Sequence, residues 1–551
     1  MKVKMILPAL TEARSPYYRP LKYSLFPPLG LATLAGYLSP SDEVTLQDEH
    51  VEPLDLDDTP DLVVIECYVT SAYRSYQLAE HYRARGAHVC LGGLHPTSLP
   101  TEAARFADSV FCGPGEDTWP RFLEDLGAGR PAPLYHSNRR TLQGAPPVRR
   151  DLICRERYLV PNALVVSRGC PHHCDFCYKD AFFKGGRSFY TQSVDAALAQ
   201  IESLPGRNLF FLDDNLFANR PFARSLLHGM RGMNRVWMAA GTVRSVLDDA
   251  LLDQAVASGL RSLFVGFESL SEASLWEHNK RHSRVAQYER AIGRLRERGV
   301  MINGSFVFGM EDDDPSVFDR TVDWAVSQGI ETATFHVLTP YPGTALHQRL
   351  AGQGRLLTDN WDRYDTRHCV YRPARMSPAE LEAGYWRSYE RFYGWRAILS
   401  AAGTKPSALG RLRHLAATGG WKKLDFLWGP LIKVGMVART RPLVDRVLDG
   451  RRGRNAGRAR GAETGGEETN QSRLSHLLRS QGEEKSSEPG RDQDLAQCHA
   501  PEVRSGTRHQ QGPPSKTQPA PPGTQAPPRS SAQTAPPCPL PSGLTDPLCT
   551  T

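Results

Sequence analysis

Three closely spaced cysteines constrain this chain more than any other feature of its sequence. Cys170, Cys174 and Cys177 follow a C-x3-C-x2-C pattern in a short polar loop, directly after the apolar run 163–166. Three thiolates at this spacing can hold three corners of a cubane iron–sulfur cluster. Because no fourth cysteine follows at short spacing, the fourth iron of such a cluster would be open to a small-molecule ligand.

A zinc site is the main alternative for the same residues. Three thiolates and the imidazole of His172 or His173 have the donor set of a Cys3His centre. Zinc fingers and ribbons usually take their ligands from two separated pairs, and this sequence shows no second pair. The spacing therefore favours the cluster and leaves zinc as the second interpretation.

The cysteine loop, with the aromatic Phe176 before its third cysteine, resembles the signature of the radical SAM superfamily. The resemblance implies a [4Fe-4S] cluster whose open iron takes the amino and carboxylate groups of S-adenosylmethionine (SAM). It also implies reductive cleavage of SAM to a 5′-deoxyadenosyl radical. Such cleavage needs a reducing electron donor, expected to be of the flavodoxin or ferredoxin type.

The first 126 residues alternate short apolar runs with helical stretches, which predicts an α/β domain with a doubly wound, flavodoxin-like parallel sheet. The runs lie at 3–8, 44–47, 62–67, 88–91 and 109–112. Two glycine-rich loops follow the last two runs, at 92–97 and 113–116. Ligands of such sheets bind at the carboxyl ends of the strands, although a tight turn explains any single glycine as well.

Together with Pro27-Pro28-Leu29-Gly30, these loops resemble the cobalamin-binding domain that is fused to many radical SAM enzymes. That family often has G-E-G-E where this chain has Gly113-Pro114-Gly115-Glu116. The resemblance implies cobalamin as a third cofactor. The cobalamin-contacting residues that it implies are Gly92, Gly93, His95, Thr97, Gly113, Gly115 and Glu116.

Six strand–helix units follow from residue 158 and predict an open (β/α)6 partial TIM barrel. The predicted strands lie at 163–166, 208–212, 236–240, 262–266, 303–308 and 332–338. Polar residues follow them, at the strand ends where barrel enzymes place their chemistry. By resemblance to radical SAM relatives, the candidate SAM contacts are Phe176, Tyr178, Asp213, Arg244, Glu268 and Phe308. Arg244 is the candidate for the SAM carboxylate, since a guanidinium binds a carboxylate through two hydrogen bonds; an ordinary cap or turn role explains each residue equally well.

The predicted organisation has five parts. These are a cobalamin-binding domain at 1–126, a linker at 127–157, the partial barrel at 158–375, a helical region at 376–448 and a disordered low-complexity tail at 449–551. A helix is predicted from Met376 to about Ala402, with an N-cap signal at Ser377-Pro378. It either closes the open side of the barrel or packs its aromatic residues in the core. The basic stretch 421–448 predicts a surface helix, with a weak membrane-surface or lipid contact as the alternative.

The composition excludes several other classes of protein. A net charge of +7 is mild for 551 residues, and no clustered basic motif for nucleic acid is visible. No apolar run is long enough to span a bilayer, and the first strand is too short for the apolar region of a signal peptide. The 11 cysteines show no paired disulfide framework, so the reducing cytoplasm is the expected location.

The prediction that follows is a cobalamin-dependent radical SAM methyltransferase that acts on an unactivated carbon or phosphorus centre. Cyclisation, ring rearrangement or oxidation without methyl transfer is the alternative enzyme class. A non-enzymatic cobalamin- or redox-sensing protein is a further alternative. Methylthiotransferases are disfavoured because Cys67, Cys90, Cys112 and Cys154 form no second three-cysteine site. A secondary metabolite, a peptide and a lipid all remain open as substrates.

Overall fold

The computed structural model describes residues 1–11, 26–405 and 407–423. Most of the amphipathic stretch 421–448 and the whole tail at 449–551 lie outside the described residues. The described residues belong to one compact unit, with two six-stranded parallel sheets and a two-stranded antiparallel pair. None of the helices described is long and apolar enough to cross a membrane.

The first sheet is built from the N-terminal strands in the order β2-β1-β3-β4-β5-β6, all parallel. The strands are β1 Lys2–Leu7, β2 Glu43–Asp48, β3 Leu62–Glu66, β4 His88–Gly92, β5 Ser109–Cys112 and β6 Leu134–His136. Since the strand order reverses between β1 and β3, the loops that follow these strands diverge and leave a crevice at their carboxyl ends. Strand β6 lies in the segment 127–157, which was expected to be only a linker, so the first sheet extends past residue 126.

Helices cover both faces of this sheet. Val63 and Ile65 of β3 pack in one buried cluster with the helix Ala72–Ala84, whereas Leu62 and Val64 pack in a second cluster on the opposite face. Burial on both faces explains why these strands are continuously apolar. The helices of this part are Leu29–Ala35, Ala72–Ala84, Leu94–Ser98, Pro100–Ala103 and Trp119–Gly127.

The second sheet has the order β14-β13-β12-β11-β10-β7, again all parallel. Its strands are β7 Ala163–Leu164, β10 Asn208–Phe211, β11 Val236–Gly241, β12 Leu260–Glu268, β13 Met301–Phe308 and β14 Thr332–Val337. The helices between and after these strands are Val194–Ser203, Arg220–Gly229, Val243–Val246, Asp249–Ser258, Glu272–Glu277, Tyr288–Glu297, Val317–Ser327 and Ala345–Gly352. Short polar side chains accept hydrogen bonds from first-turn amides of several of them, which defines where each helix begins.

The antiparallel pair is an addition that the sequence did not predict. Strands β8 Ser167–Gly169 and β9 Phe189–Thr191 pair with each other. The three cysteines and the short helix Lys179–Phe182 lie between them. Single 3-10 turns complete the described chain at Val69–Ser71, Gly115–Asp117, Arg150–Leu152, Arg155–Arg157, Val285–Gln287 and Trp361–Arg363.

The C-terminal helices cover the edge of the second sheet. The hydroxyls of Tyr389 and Tyr393 hydrogen-bond to backbone groups of Phe335 and Ala333 on the edge strand β14, which protects an otherwise open edge. The N-cap at Ser377 is confirmed. The single helix predicted over 376–402 is wrong, because the chain turns at Gly394. The helices are Pro378–Phe392, Trp395–Gly403, Ala408–His414 and a π-helical stretch Leu415–Lys423.

Candidate active site

The cysteine loop begins at a position that only glycine fits. Gly169 ends β8 with φ of +76°, and a Cβ atom there would lie 2.0 Å from the carbonyl oxygen of Ser188. The amide of Cys170 donates to the same carbonyl at 3.0 Å. The antiparallel pair therefore fixes the direction in which the chain enters the loop.

The three thiols lie in a mostly buried environment. Cys170 and Cys174 are each 8% exposed, and Nδ2 of Asn215 donates to Sγ of Cys170 at 3.5 Å. Burial raises the pKa of Cys177 to about 12 and also raises that of Cys174. Metal binding at these thiols must therefore displace protons, and it becomes stronger as the pH rises.

Two buried lysines supply positive charge beside the thiols. Nζ of Lys179 lies 3.4 Å from the carbonyl oxygen of Cys170, and Nζ of Lys280 lies 2.7 Å from Oε1 of Glu268. Burial by itself lowers the pKa of Lys280, but the Glu268 carboxylate and the Cys174 thiolate outweigh it and raise the pKa. Both ammonium groups are thus charged and can balance the negative charge of a thiolate-bound centre.

The donor set fits a cluster better than a single ion. In the part of the chain that is described, no three His, Cys, Asp or Glu side chains converge on one single-ion position. A cubane cluster does not require such convergence, because each thiolate binds a different iron. A negatively charged cluster is stabilised by buried thiolate ligands, hydrogen bonds to sulfur and nearby cations. The site provides three half-buried to buried thiols, an amide donor to sulfur and two lysine cations.

Asp175 ties the cysteine loop to two distant parts of the chain. Its Oδ1 pairs with Nδ1 of His278 at 2.8 Å, and its Oδ2 pairs with Arg349 at 2.6 Å. The ring of Phe176 lies edge-on to the His278 ring, with 5.8 Å between centroids. The loop is therefore held across the mouth of the second sheet from both sides.

Asp213, predicted to contact SAM, is placed in a supporting position. Its side chain is 2% exposed, and it accepts hydrogen bonds from the amides of Val166 and Ser167 and from the Ser167 hydroxyl. Burial raises its pKa to about 7. Asp213 therefore holds the strand that leads into the cysteine loop.

The neighbouring Asp214, which the sequence analysis passed over, is the carboxylate at the cysteine loop. Its Oδ2 accepts a hydrogen bond from the amide of Gly169 at 3.1 Å, and its Oδ1 accepts one from the hydroxyl of Tyr178 at 2.8 Å. At the end of a strand, the side chains of consecutive residues point to opposite sides. Which of the two carboxylates is available to a ligand therefore depends on a difference of one position in the sequence.

The remaining predicted SAM contacts are spread over three environments. Glu268 ends β12 with φ of +66°, a conformation that side chains other than glycine rarely adopt, and Ser305 donates to its Oε2 at 3.2 Å. Arg244 is exposed, in the short helix Val243–Val246 that follows β11. The side chain of Phe308 packs in the core against Phe335 and Phe318, which leaves only its backbone for a ligand.

A pocket in the first sheet collects most of the predicted cobalamin residues. This glycine pocket, of about 150 Å³, is lined among others by Gly92, Gly93, Gly113, Gly115 and Glu116. It opens at the carboxyl ends of β3, β4 and β5. Gly93 has φ of +113°, and a Cβ atom on it would lie 2.7 Å from a backbone carbonyl oxygen, so close backbone packing requires glycine there.

Two predicted cobalamin contacts do not line the glycine pocket. His95 is fully buried, and its Nε2 is hydrogen-bonded to the Tyr76 hydroxyl at 3.0 Å and to Glu102 at 3.1 Å. His95 is therefore directed away from the glycine pocket, because the short helix after Gly93 turns its ring into the core. Thr97 instead braces the pocket, since its hydroxyl donates to the Gly93 carbonyl and accepts from the Gly113 amide.

One ion pair joins the glycine pocket to the cysteine loop. Nη2 and Nε of Arg168, two residues before Cys170, lie 2.7 and 3.0 Å from Oε1 of Glu116. The Glu116 side chain is 7% exposed and that of Arg168 is 27% exposed. The loop that closes the glycine pocket and the strand that carries the cysteines are thus held together directly.

An aromatic cavity lies between the glycine pocket and the cysteine loop. Its volume is about 300 Å³, and its lining includes Tyr68 and Leu94 from the first sheet and Tyr178, Tyr341 and Tyr364 from the second part of the chain. The Tyr68 hydroxyl donates to Oε1 of Glu66 at 3.1 Å, and Glu66 lines the glycine pocket. A molecule in the aromatic cavity would contact residues adjoining both the glycine pocket and the cysteine loop.

These features define an α/β enzyme with a cysteine centre at the mouth of its second sheet and a ligand pocket in its first. Residues 164–325 match the sequence profile of the Radical SAM superfamily. The chain therefore contains a radical SAM domain, which confirms the predicted resemblance and the [4Fe-4S] cluster and SAM that it implies.

The chain is similar in sequence to curated methyltransferases. It is 28% identical to bacteriochlorophyllide d C-12(1)-methyltransferase of Chlorobaculum tepidum, over 69% of this chain and 85% of that protein. It is 27% identical to bacteriochlorophyllide d C-8(2)-methyltransferase of the same organism, over 71% and 92%. These similarities support an enzyme rather than the non-enzymatic sensor that the sequence left open.

Two solved structures share the fold. The cobalamin-dependent SAM radical enzyme OxsB, with aqua-cobalamin and SAM bound, superposes with a TM-score of 0.58 at 13% identity, over 87% of this chain and 83% of that one. The radical SAM methyltransferase TsrM from Kitasatospora setae superposes with a TM-score of 0.52 at 18% identity, over 64% and 76%. The predicted arrangement of a parallel-sheet α/β fold with a radical SAM domain is thereby confirmed.

Several residues of the site could not be identified from any sequence motif. Lys280, Asp175 and Arg349 act through partners 12 to 174 positions away, and no motif spans such distances. Asp214 had a weak signal, since it stands beside the residue that was chosen.

Proposed function

We propose that this protein is a cobalamin-dependent radical SAM methyltransferase that acts on an unactivated carbon or phosphorus centre. The observation that carries the proposal is the Arg168–Glu116 pair, because it joins the strand before the cysteine loop to the glycine pocket, whose lining shares Phe182 with the aromatic cavity. Methyl transfer by two cofactors requires that both reach the same substrate. The names of the two relatives and of TsrM support methyl transfer, and the name of OxsB supports the use of cobalamin.

The chain offers a distinct set of residues to each cofactor. Cys170, Cys174 and Cys177 would hold the [4Fe-4S] cluster, and the glycine pocket would hold cobalamin. For SAM, the carboxylates of Glu268 and Asp214 and the loop residue Tyr178 are the available polar groups. When bound, these cofactors supply electron transfer to SAM, hydrogen abstraction and methyl donation, which side chains cannot perform.

The side chains of the protein position the parts of the site and exclude water from it. Asp175 and Asp213 hold the cysteine loop and the strand before it, while Lys280 forms an ion pair with Glu268 at the end of β12. Four tyrosines in the aromatic cavity provide a mainly apolar lining that also carries hydroxyl groups. We propose a substrate with a large apolar or ring-bearing group there, since such a lining favours flat apolar surfaces.

The test uses anaerobically purified protein, reconstituted with iron and sulfide and supplied with cobalamin, SAM and a chemical reductant. The ultraviolet–visible spectrum reports bound cobalamin, and chromatography reports 5′-deoxyadenosine and S-adenosylhomocysteine. The proposal expects bound cobalamin and both products. If the protein cleaves SAM but does not bind cobalamin, the proposed cobalamin-dependent methyl transfer is refuted, and the protein is a radical SAM enzyme of another kind.

Cyclisation without methyl transfer is the second candidate. The chain is 24% identical to the anaerobic magnesium-protoporphyrin IX monomethyl ester cyclase of Rubrivivax gelatinosus, over 74% of this chain and 83% of that protein. Bound cobalamin with 5′-deoxyadenosine as the only SAM product, in the presence of a turned-over substrate, would favour this candidate. Cytoplasmic location and a flavodoxin- or ferredoxin-type donor remain proposals from the sequence.

A further inference from the structure

A groove on the flank of the second sheet is lined mainly by arginine side chains. This arginine groove, of about 670 Å³, is formed chiefly by Arg220, Arg244, Arg281, His282 and Arg284. All four arginines are exposed. The acidic residue of the lining, Asp248, is already paired with Arg220 at 3.1 Å. Among the residues that the structure describes, Arg281 and Arg284 form no ion pair, so the groove carries uncompensated positive charge.

The arginine groove adjoins the cysteine loop. Its residues follow β10, β11 and β12, on the same side of the sheet as the three cysteines. The ring of His282, in the groove, stacks on the ring of His172 with 3.7 Å between centroids and 8° between planes. His172 stands between Cys170 and Cys174 in the loop. A molecule in the groove would therefore be separated from the cysteine loop by the stacked rings of His282 and His172.

An exposed tryptophan lies at the border of the groove, beside Arg281. Trp276 is 63% exposed, and the guanidinium of Arg281 lies 4.3 Å from the centre of its ring. Tryptophan and arginine are enriched in protein interfaces and among the residues that dominate their binding energy. A small anion needs only the guanidinium groups, whereas a protein can also cover the indole ring.

We infer that the arginine groove and Trp276 form the docking surface for an acidic one-electron carrier protein that reduces the cysteine centre. The inference rests on the proposed function, in which SAM cleavage consumes one electron. The reduced carrier loses that electron to the centre, and the sulfonium carbon–sulfur bond of SAM then breaks to methionine and a carbon radical. Redox encounters use small interfaces that are steered by opposite charges, which fits an arginine-rich surface beside the loop.

The experiment compares two reductants on the reconstituted full-length enzyme. R281E/R284E reverses two groove charges, and R105E/R130E makes the same change of four charge units on exposed arginines that follow two helices of the N-terminal part of the chain. The initial rate of 5′-deoxyadenosine formation is measured with dithionite and, separately, with an acidic flavodoxin kept reduced, over a series of salt concentrations.

The expected result is selective. With flavodoxin at low salt, R281E/R284E should be slower by about tenfold or more, the range expected for lost electrostatic steering. With dithionite, R281E/R284E should form 5′-deoxyadenosine at the wild-type rate. The control R105E/R130E should have the wild-type rate with either reductant. Equal flavodoxin-driven rates in the groove variant and the wild type would overturn the docking surface. An equal loss with both reductants would also overturn it, by assigning the arginines to SAM or to folding. Absence of dithionite-driven cleavage in the wild type would instead overturn the proposed function.

Discussion

Removing the charge of Arg168 tests whether the two halves of the site are coupled. The guanidinium makes two hydrogen bonds to one oxygen of Glu116, at 2.7 and 3.0 Å. Hydrogen bonds to charged groups contribute about 1.5–3 kcal/mol. Arg168 is 27% exposed, and solvent screening places the coupling at the lower end of this range, about 1.5–2 kcal/mol. R168Q alone should cost somewhat more, because it leaves the mostly buried Glu116 carboxylate without its cation.

A double-mutant cycle isolates the coupling. R168Q, E116Q and R168Q/E116Q are compared with the wild type by urea unfolding and by spectroscopic titration with cobalamin. The double variant should be less destabilised than the sum of the single variants, by about 1.5–2 kcal/mol. Both single variants should bind cobalamin about 10- to 30-fold more weakly, since 1.4 kcal/mol corresponds to a factor of ten. Additivity within about 0.5 kcal/mol, with unchanged cobalamin affinity, would refute the reasoning that this pair organises the site.

Three further predictions concern the cofactors and the stability of the fold. Alanine at any of the three loop cysteines should abolish iron retention and SAM cleavage, whereas the exposed Cys154→Ala should retain both; turnover in a loop variant would contradict the cluster assignment. Gly93→Ala should cost at least about 1–3 kcal/mol and weaken cobalamin binding, because its positive φ and a close carbonyl exclude a side chain; Gly127→Ala, with open space around it, is the matched control in thermal unfolding. The hydrogen bond to Asp365 raises the pKa of His368 above 6.5, so its contribution, under about 1 kcal/mol, is complete below pH 6.5 and disappears as the pH rises through the raised pKa. His368→Gln should remove that decline from a pH series of unfolding free energies, and an unchanged decline would exclude this ion pair as its source.

Local patterns predicted the elements of the fold and the heart of the site. Apolar runs of strand length separated by helical stretches predicted the two parallel sheets, because strands buried on both faces must be apolar throughout. The C-x3-C-x2-C spacing predicted the cysteine centre, since its donors lie within eight positions of one another. The Ser377 N-cap was predictable for the same reason, as its partner Glu380 is three residues away.

Patterns failed where the direction of a side chain matters. Asp213 and Asp214 are equivalent in sequence, yet one holds backbone amides in the core and the other faces the cysteine loop. His95 follows a glycine-rich turn, as a ligand contact would, but the helix that starts there directs its ring to Tyr76 and Glu102. The register of each element, and therefore the exposure of each residue, depends on packing.

By itself, the sequence determined the class of the protein: cysteine spacing, strand–helix alternation and glycine-rich strand ends are local properties of the chain. Only the tertiary structure decided which residues meet. Arg168 reaches Glu116 across 52 positions and Asp175 reaches Arg349 across 174. The aromatic cavity and the arginine groove exist only where separate loops converge. Short-range preferences set local structure, whereas contacts between distant segments form only when burial of the two sheets brings those segments together.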